Sequence, residues 1–350
     1  MKPPQPGLFG LRQTNRDFSQ KEAWGKNQFN SSFPAALCCF MAHKQKPAVH
    51  LCARSGQVTP ETIDIANVFG IDPADPDTYF AFEAAHTPFQ KYIIGSLPRT
   101  DLVIQKKSTG QCLAGLEIKL TALPDNTTCD APEDKYGSEI VVRPDTIAYL
   151  ACSLAESLGP KLSKTLPTIE IADWSEPQNA LDNINQIVGA IEKVTVACEA
   201  CQKPFLIQPI WKTKGKSPAL ADHCLDVFVW SNAGFSAFIA HIANNDPQAS
   251  SITRQTRTAI WLYKMLLEIK LNQHFDHASI IDEQSYSTKN DKAFASAGNV
   301  TNRYMACDRL KKPAIHQTDI PKIILGGGQN LLSPERRFDA IIFNSPELFA

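Results

Sequence analysis

The chain has 350 residues, 43% of them hydrophobic, and a formal net charge of −1 at pH 7. That length and apolar share suffice for a sizeable core in one large domain or two smaller ones, and the near-neutral charge excludes general attraction as the means of holding a polyanion, which would need a local basic patch. No apolar run approaches the roughly 20 residues of a membrane span. Met1 to Gln20 is polar and Pro-rich, with no apolar signal-peptide core, so the expected location is the cytoplasm.

In chain order, residues 1–32 carry Pro3, Pro4 and Pro6 in a polar stretch and read as an arm that packs late or stays mobile. The folded part is expected from Phe33 onward, as one domain over 33–350. Thr59-Pro60-Glu61 predicts a helix running toward Phe69-Gly70, with Thr59 as cap and Pro60 at the first helical position. Asp75-Pro76 repeats that signal. It predicts a helix carrying Tyr79, Phe82, Glu83, His86 and Phe89 at three- and four-residue spacing, which turns Glu83 inward.

A hairpin follows. Asp101 opens the apolar run Leu102 to Ile104, Lys106 to Gln111 with Gly110 supplies the turn, and Leu116 to Leu120 forms the second strand. Side chains alternate along a strand, so Glu117 and Lys119 share one face while Leu116, Ile118 and Leu120 face a core. The hairpin brings Asp101 near Glu117.

Beyond it, Asn126 to Gly137 reads as a loop and Glu139 to Val142 as a short strand. Pro144-Asp145 opens a helix through Leu158, ended by Gly159-Pro160. Pro177 to Ala200 predicts a longer helix, Phe205 to Trp211 and Leu225 to Trp230 strands, and Asn232 to Ala243 and Thr253 to Phe275 helices. The alternation indicates an α/β fold with a mixed central β-sheet flanked by helices. Gly326-Gly327-Gly328 lacks a following Lys-Ser or Lys-Thr, so it reads as a tight turn and no nucleotide cofactor is expected.

Ten cysteines without a secretory signal suit reduced thiols better than a disulfide framework. Cys198 and Cys201, spaced as CxxC and followed by His223-Cys224, offer enough ligand types for structural zinc. Against zinc, no second CxxC exists, and Cys198 ends the apolar pattern of Ile187, Ile191 and Val194. Buried thiols are the favoured reading, there and at Cys38-Cys39.

Two carboxylates and a lysine on paired strands are what metal-dependent phosphodiester hydrolysis requires. Mg2+ takes hard oxygen ligands and keeps several waters, so Asp101, Glu117 and the backbone carbonyl of Ile118 form a suitable set. Lys119 can hold or deprotonate the attacking water and offset phosphate charge. Glu83 could bind a second metal or orient water. The bland alternative is a solvated strand face with a surface ion pair. Pro98 and Arg99 before Asp101, the apolar flanks of both strands and the upstream Glu83 favour the catalytic reading.

Ser96-Leu97-Pro98-Arg99-Thr100-Asp101 together with Leu116-Glu117-Ile118-Lys119 resembles the PD-(D/E)xK nuclease motif of type II restriction endonucleases, with the proline displaced by two residues. The wider stretch from Phe82-Glu83 to Pro124, with Ser138 to Pro144, resembles the HindVP family of restriction enzymes, most strongly over about residues 80 to 160. The resemblance implies a restriction-endonuclease-like core, with its catalytic part over about 75–160 and DNA-recognition elements mainly in the C-terminal half. It implies Mg2+-dependent cleavage of double-stranded DNA within the palindrome GRCGYC, with Asp101 and Glu117 as metal ligands, Lys119 as catalytic lysine and Glu83 as the upstream acid.

A two-fold DNA site is most simply read by a homodimer. Guanines would be read by Arg or Lys and cytosines by carboxylates or carbonyls. Lys212, Lys214, Lys216, Arg336 and Arg337 sit in loop-like polar contexts and are the preferred DNA contacts, ahead of Arg254, Arg257, Arg303 and Arg309 to Lys312. Two alternatives stand beside this reading: a nuclease of repair or recombination built on the same core, and a non-catalytic DNA-binding module.

Overall fold

The computed structural model describes residues 75–116, 144–200 and 254–284 continuously, with the shorter segments 13–15, 48–54, 57–63, 206–207, 211–214, 217–220 and 232–244 and the single residues 72 and 252. Ten strands and seven α-helices lie within them. The strands are β1 (Ala48–Arg54), β2 (Gln57–Ile63), β3 (Thr78–Ala84), β4 (Ile93–Ile94), β5 (Thr100–Lys106), β6 (Cys112–Leu116), β7 (Leu206–Ile207), β8 (Trp211–Lys214), β9 (Ser217–Leu220) and β10 (Phe275–Asp276). The helices are α1 (Pro144–Leu158), α2 (Lys161–Thr165), α3 (Pro177–Asp182), α4 (Ile184–Glu199), α5 (Asn232–Asn244), α6 (Arg254–Asn272) and α7 (His277–Glu283). Helices and antiparallel sheets together are compatible with the expected α/β class.

The sheet that matters most is antiparallel, in the order β3-β5-β6. Its centre, β5, is buried on both faces in the middle: Leu102, Val103 and Ile104 are fully enclosed. The β5–β6 turn follows the sequence expectation. Gly110 has φ 70°, a conformation that favours glycine, and Lys106 and Gln111 close the turn through a backbone hydrogen bond of 2.9 Å. The second strand begins at Cys112, four residues before the predicted Leu116.

The helix predicted after Asp75-Pro76 is corrected. Thr78 to Ala84 is strand β3, and only Thr87–Tyr92 is helical, as a single 3-10 turn. Thr78, Tyr79, Phe80 and Phe82 are β-branched or aromatic, and a strand burying Phe80 and Phe82 wins over a helical spacing that was coincidental. The helix predicted from Thr59 is corrected too. Residues 57–63 form β2, an edge strand beside β1, and an edge position tolerates Pro60, which has no N–H to donate.

The outer edge of β3 is covered by residues 13–15 of the predicted arm. Phe80 N–H donates to the Gln13 carbonyl at 2.9 Å, and the Asn15 amide pairs with both backbone groups of Phe82, at 2.9 and 3.0 Å. Covering an edge removes a row of unpaired backbone groups.

The helical core gathers α1, α4, α5 and α6, with Trp261, Tyr263 and Ile147 essentially without exposure. Helix α1 runs as predicted and stops at Gly159, φ 51°. The predicted helix from Pro177 to Ala200 is divided at Asn183 into α3 and α4. No helix among the described residues is long and apolar enough to cross a membrane.

Candidate active site

The register of β3 on β5 brings Glu83 and Asp101 together. Phe82 faces Leu102 and Ala84 faces Thr100, so the intervening residues oppose one another. The ladder is interrupted at that step, because Glu83 has φ 50°, the left-handed region that L-residues avoid. Both residues are half-buried. Backbone strain of this kind clusters at functional sites.

On the other side of β5, Leu102 faces Leu116, the last residue of β6. Thr100, 2% exposed, donates its hydroxyl to the Leu116 carbonyl at 2.9 Å and ties the two strands there. Gly115 makes room for a histidine: a Cβ at that position would lie 3.1 Å from His86 Cγ, tighter than most real contacts. The His86 ring, almost wholly buried, also meets Phe89 edge-on at 4.6 Å. Burial pushes its pKa below the ordinary imidazole value, against a smaller upward pull from Glu156.

Helix α1 reaches the same place through Tyr149. Its hydroxyl donates to the Pro98 carbonyl at 2.6 Å and accepts from the His86 N–H at 3.0 Å. Nearby, Glu156 accepts from Tyr92 at 2.7 Å and pairs with Lys91 at 2.5 Å, and the hydrogen bond from Lys91 is the main reason its pKa is lowered. That pair is half exposed and therefore contributes little to stability.

The remaining expected site residues divide by location. Glu117, Ile118, Lys119, Lys216, Arg336 and Arg337 lie outside the described residues, as do Cys201, His223 and Cys224. Lys212 and Lys214 lie on β8, paired with β9, and not in a loop; the run Trp211–Lys214 takes strand pairing through Lys214 against Ser217. Arg257 is 3% exposed, with its guanidinium 5.8 Å from the Trp261 ring centroid, so it is a core cation and not a groove contact. Cys198 is fully buried on α4, in keeping with the thiol reading. No group of three or more His, Cys, Asp or Glu side chains placed to hold a metal occurs among the described residues.

Tyr149, Thr100 and Gly115 had no assigned role in the sequence. A glycine inside a strand pattern signals close approach, and this one could have been noticed. Tyr149 is indistinguishable by spacing from the apolar face of its helix.

The sequence pattern of the HindVP restriction endonuclease family matches residues 24–349. The chain is similar, at 49% identity over 348 residues, to a probable type II restriction enzyme HindVP of Haemophilus influenzae, covering 99% of this chain and 95% of the relative. It is also similar, at 41% identity over 350 residues, to the type II restriction enzyme HgiDI of Herpetosiphon aurantiacus, covering 99% and 97%. No solved structure matches. These likenesses define the class, the type II restriction enzymes, which are site-specific endonucleases. Within that class the chain belongs to the HindVP restriction endonuclease family.

Proposed function

We propose that the protein hydrolyses phosphodiester bonds of double-stranded DNA within a short palindrome, GRCGYC, using Mg2+ at a PD-(D/E)xK site built around Asp101. The observation that carries this reading is the opposition of Glu83 to Asp101 across β3 and β5, in a chain of restriction-enzyme family. Extending the Leu102 to Leu116 register by one step would set Glu117 against Asp101 from the other side, giving a row of three acidic positions across the sheet.

Carboxylate oxygens are the donors Mg2+ prefers, so the chemistry of Asp101, with Glu117 and the Ile118 carbonyl, fits this ion, and Glu83 brings a further carboxylate opposite Asp101. Bound there, Mg2+ would supply a low-pKa water and offset charge on the phosphoryl oxygens. Asp101 orients the ligand set, Lys119 holds and helps deprotonate the attacking water, and Glu83 orients that water or holds a second ion. Lys212, Lys214, Lys216, Arg336 and Arg337 are proposed to grip phosphates and guanine edges, and the palindrome is read by a homodimer with one site per strand.

Plasmid digestion with Mg2+, followed by sequencing of the fragment ends, tests the reading. Discrete fragments sharing a GRCGYC end are expected, and the mass of the complex with that duplex should give two chains per site. A smear, or ends without a common sequence, would sink the restriction site assignment. Asp101→Ala and Glu117→Ala should each lower the cleavage rate by about 1000-fold or more while a Ca2+-supported complex with the duplex persists, because metal stabilises the transition state and not the groove contacts. Normal cutting by either variant removes the proposed site.

A further inference from the structure

We infer that Tyr149 is a positioning residue for cleavage, its hydroxyl setting the spacing of the two strands that carry Glu83 and Asp101. This rests on the Asp101 site proposed above. The β3–β5 ladder is paired up to Ala84 and Thr100, and two steps further the same register would place His86 opposite Pro98. At that step no direct backbone bond forms. The Tyr149 oxygen stands between the two groups instead, accepting from the His86 N–H at 3.0 Å and donating to the Pro98 carbonyl at 2.6 Å.

One inserted hydroxyl thus joins strands that have separated, three residues after Glu83 and three residues before Asp101. The strands part just beyond Ala84 and Thr100, one residue past the left-handed Glu83, φ 50°. The tyrosine cannot yield: it is 5% exposed, on the buried face of α1, with the Phe89 ring centroid 5.8 Å away. The grip extends to the third strand. His86, whose N–H it holds, rests its ring on Gly115 of β6, and Thr100 bonds the Leu116 carbonyl. A group that fixes the carriers of ligand carboxylates, without touching the ligand, governs how well they converge on it.

The test is Tyr149→Phe, which removes the hydroxyl and keeps the ring. Cleavage of a duplex carrying the enzyme's own cut site, sequenced from its digest, should fall about 10- to 100-fold in kcat with KM for DNA within about twofold. The Ca2+ concentration giving half-maximal binding of that duplex should rise by a similar factor, a readout independent of turnover. Ile191→Ala, a packing control at a fully buried position of α4, should lower Tm and leave the Ca2+ half-point unchanged. A wild-type kcat and half-point in Tyr149→Phe, or an equal half-point shift in Ile191→Ala, overturns the inference. Should Tyr149→Phe not fold, Tyr149→His, neither of whose two ring nitrogens can both accept and donate as the phenol oxygen does, is read by the same half-point, and a wild-type value there overturns it equally. Asp101→Asn separates the two readings: if it still cuts, the Asp101 site itself falls, whereas an inactive Asp101→Asn beside a normal Tyr149→Phe removes the positioning role alone.

Discussion

At the scale of single residues, Glu83 holds a backbone conformation that costs an L-residue about 1–2 kcal/mol, a cost that glycine would not carry. The usual ranking in a strand, alanine above glycine, should therefore reverse here. Glu83→Gly is expected to be more stable than Glu83→Ala by about 1 kcal/mol in urea denaturation, while both cut DNA more slowly than the wild type. The comparison between the two variants cancels whatever the carboxylate itself contributes. An alanine variant as stable as the glycine one would mean that the left-handed conformation is not what position 83 requires. A glycine variant that is stabilised yet slow would show strain retained for the carboxylate.

At the scale of elements, α6 organises the segment after α2 much as Tyr149 organises the site strands. Tyr263 accepts from the Ile169 N–H at 2.8 Å and donates to the Pro167 carbonyl at 3.0 Å, while Lys270 donates to the Leu166 carbonyl at 2.8 Å and to Thr168 at 2.9 Å. Tyr263 is wholly buried and Ile169 nearly so. Tyr263→Phe strands the Ile169 N–H without its partner and should cost about 1–3 kcal/mol in chemical denaturation. Below its melting range the variant should cut at the wild-type rate, and an unchanged denaturation midpoint would refute the argument. What was legible in the sequence follows from the same physics. Helix α1 announced itself by Pro144 at its start and Gly159 at its end, and the β5–β6 turn by Gly110, because these residues act locally. Residues 78–84 misled, since Glu83 and His86 fall at helical spacing while the decision was made by sheet pairing with β5, a contact no local pattern encodes. The carboxylate Asp101, proposed as a metal ligand, stood out in the sequence by its place at the head of an apolar run. The phenol and glycine that hold its strands did not, because their roles exist only once α1 and β6 are packed.

For the whole molecule, two largely buried imidazoles among the described residues impose a pH dependence on stability. Burial lowers the pKa of His86 and of His277 from the ordinary 6.5, outweighing the upward pull of Glu156 on the first and of Asp145, the Pro144 carbonyl and Asp276 on the second. His277 Nε2 lies 3.4 Å from the Asp145 carboxylate but has no hydrogen-bond partner among the described residues. Both imidazoles are therefore folded in their neutral form, and below pH about 6.5 the unfolded chain binds protons that the folded chain refuses. The stabilisation is complete above that value and is lost as pH falls through the lowered folded pKa values. Asp77, Asp173 and Glu156 also have lowered values, held down mainly by hydrogen bonds from Ser108, Ser175 and Lys91, but they lie at the surface and act only in the more acidic carboxylate range. Tm measured from about pH 8 to about pH 5 should thus be flat at first and then fall across the imidazole range. Replacing both His86 and His277 by Gln should flatten that fall even if Tm drops at every pH, since glutamine offers no proton site for the unfolded state to exploit. A wild-type Tm that stays level to about pH 5 would mean that neither imidazole is kept neutral by the fold.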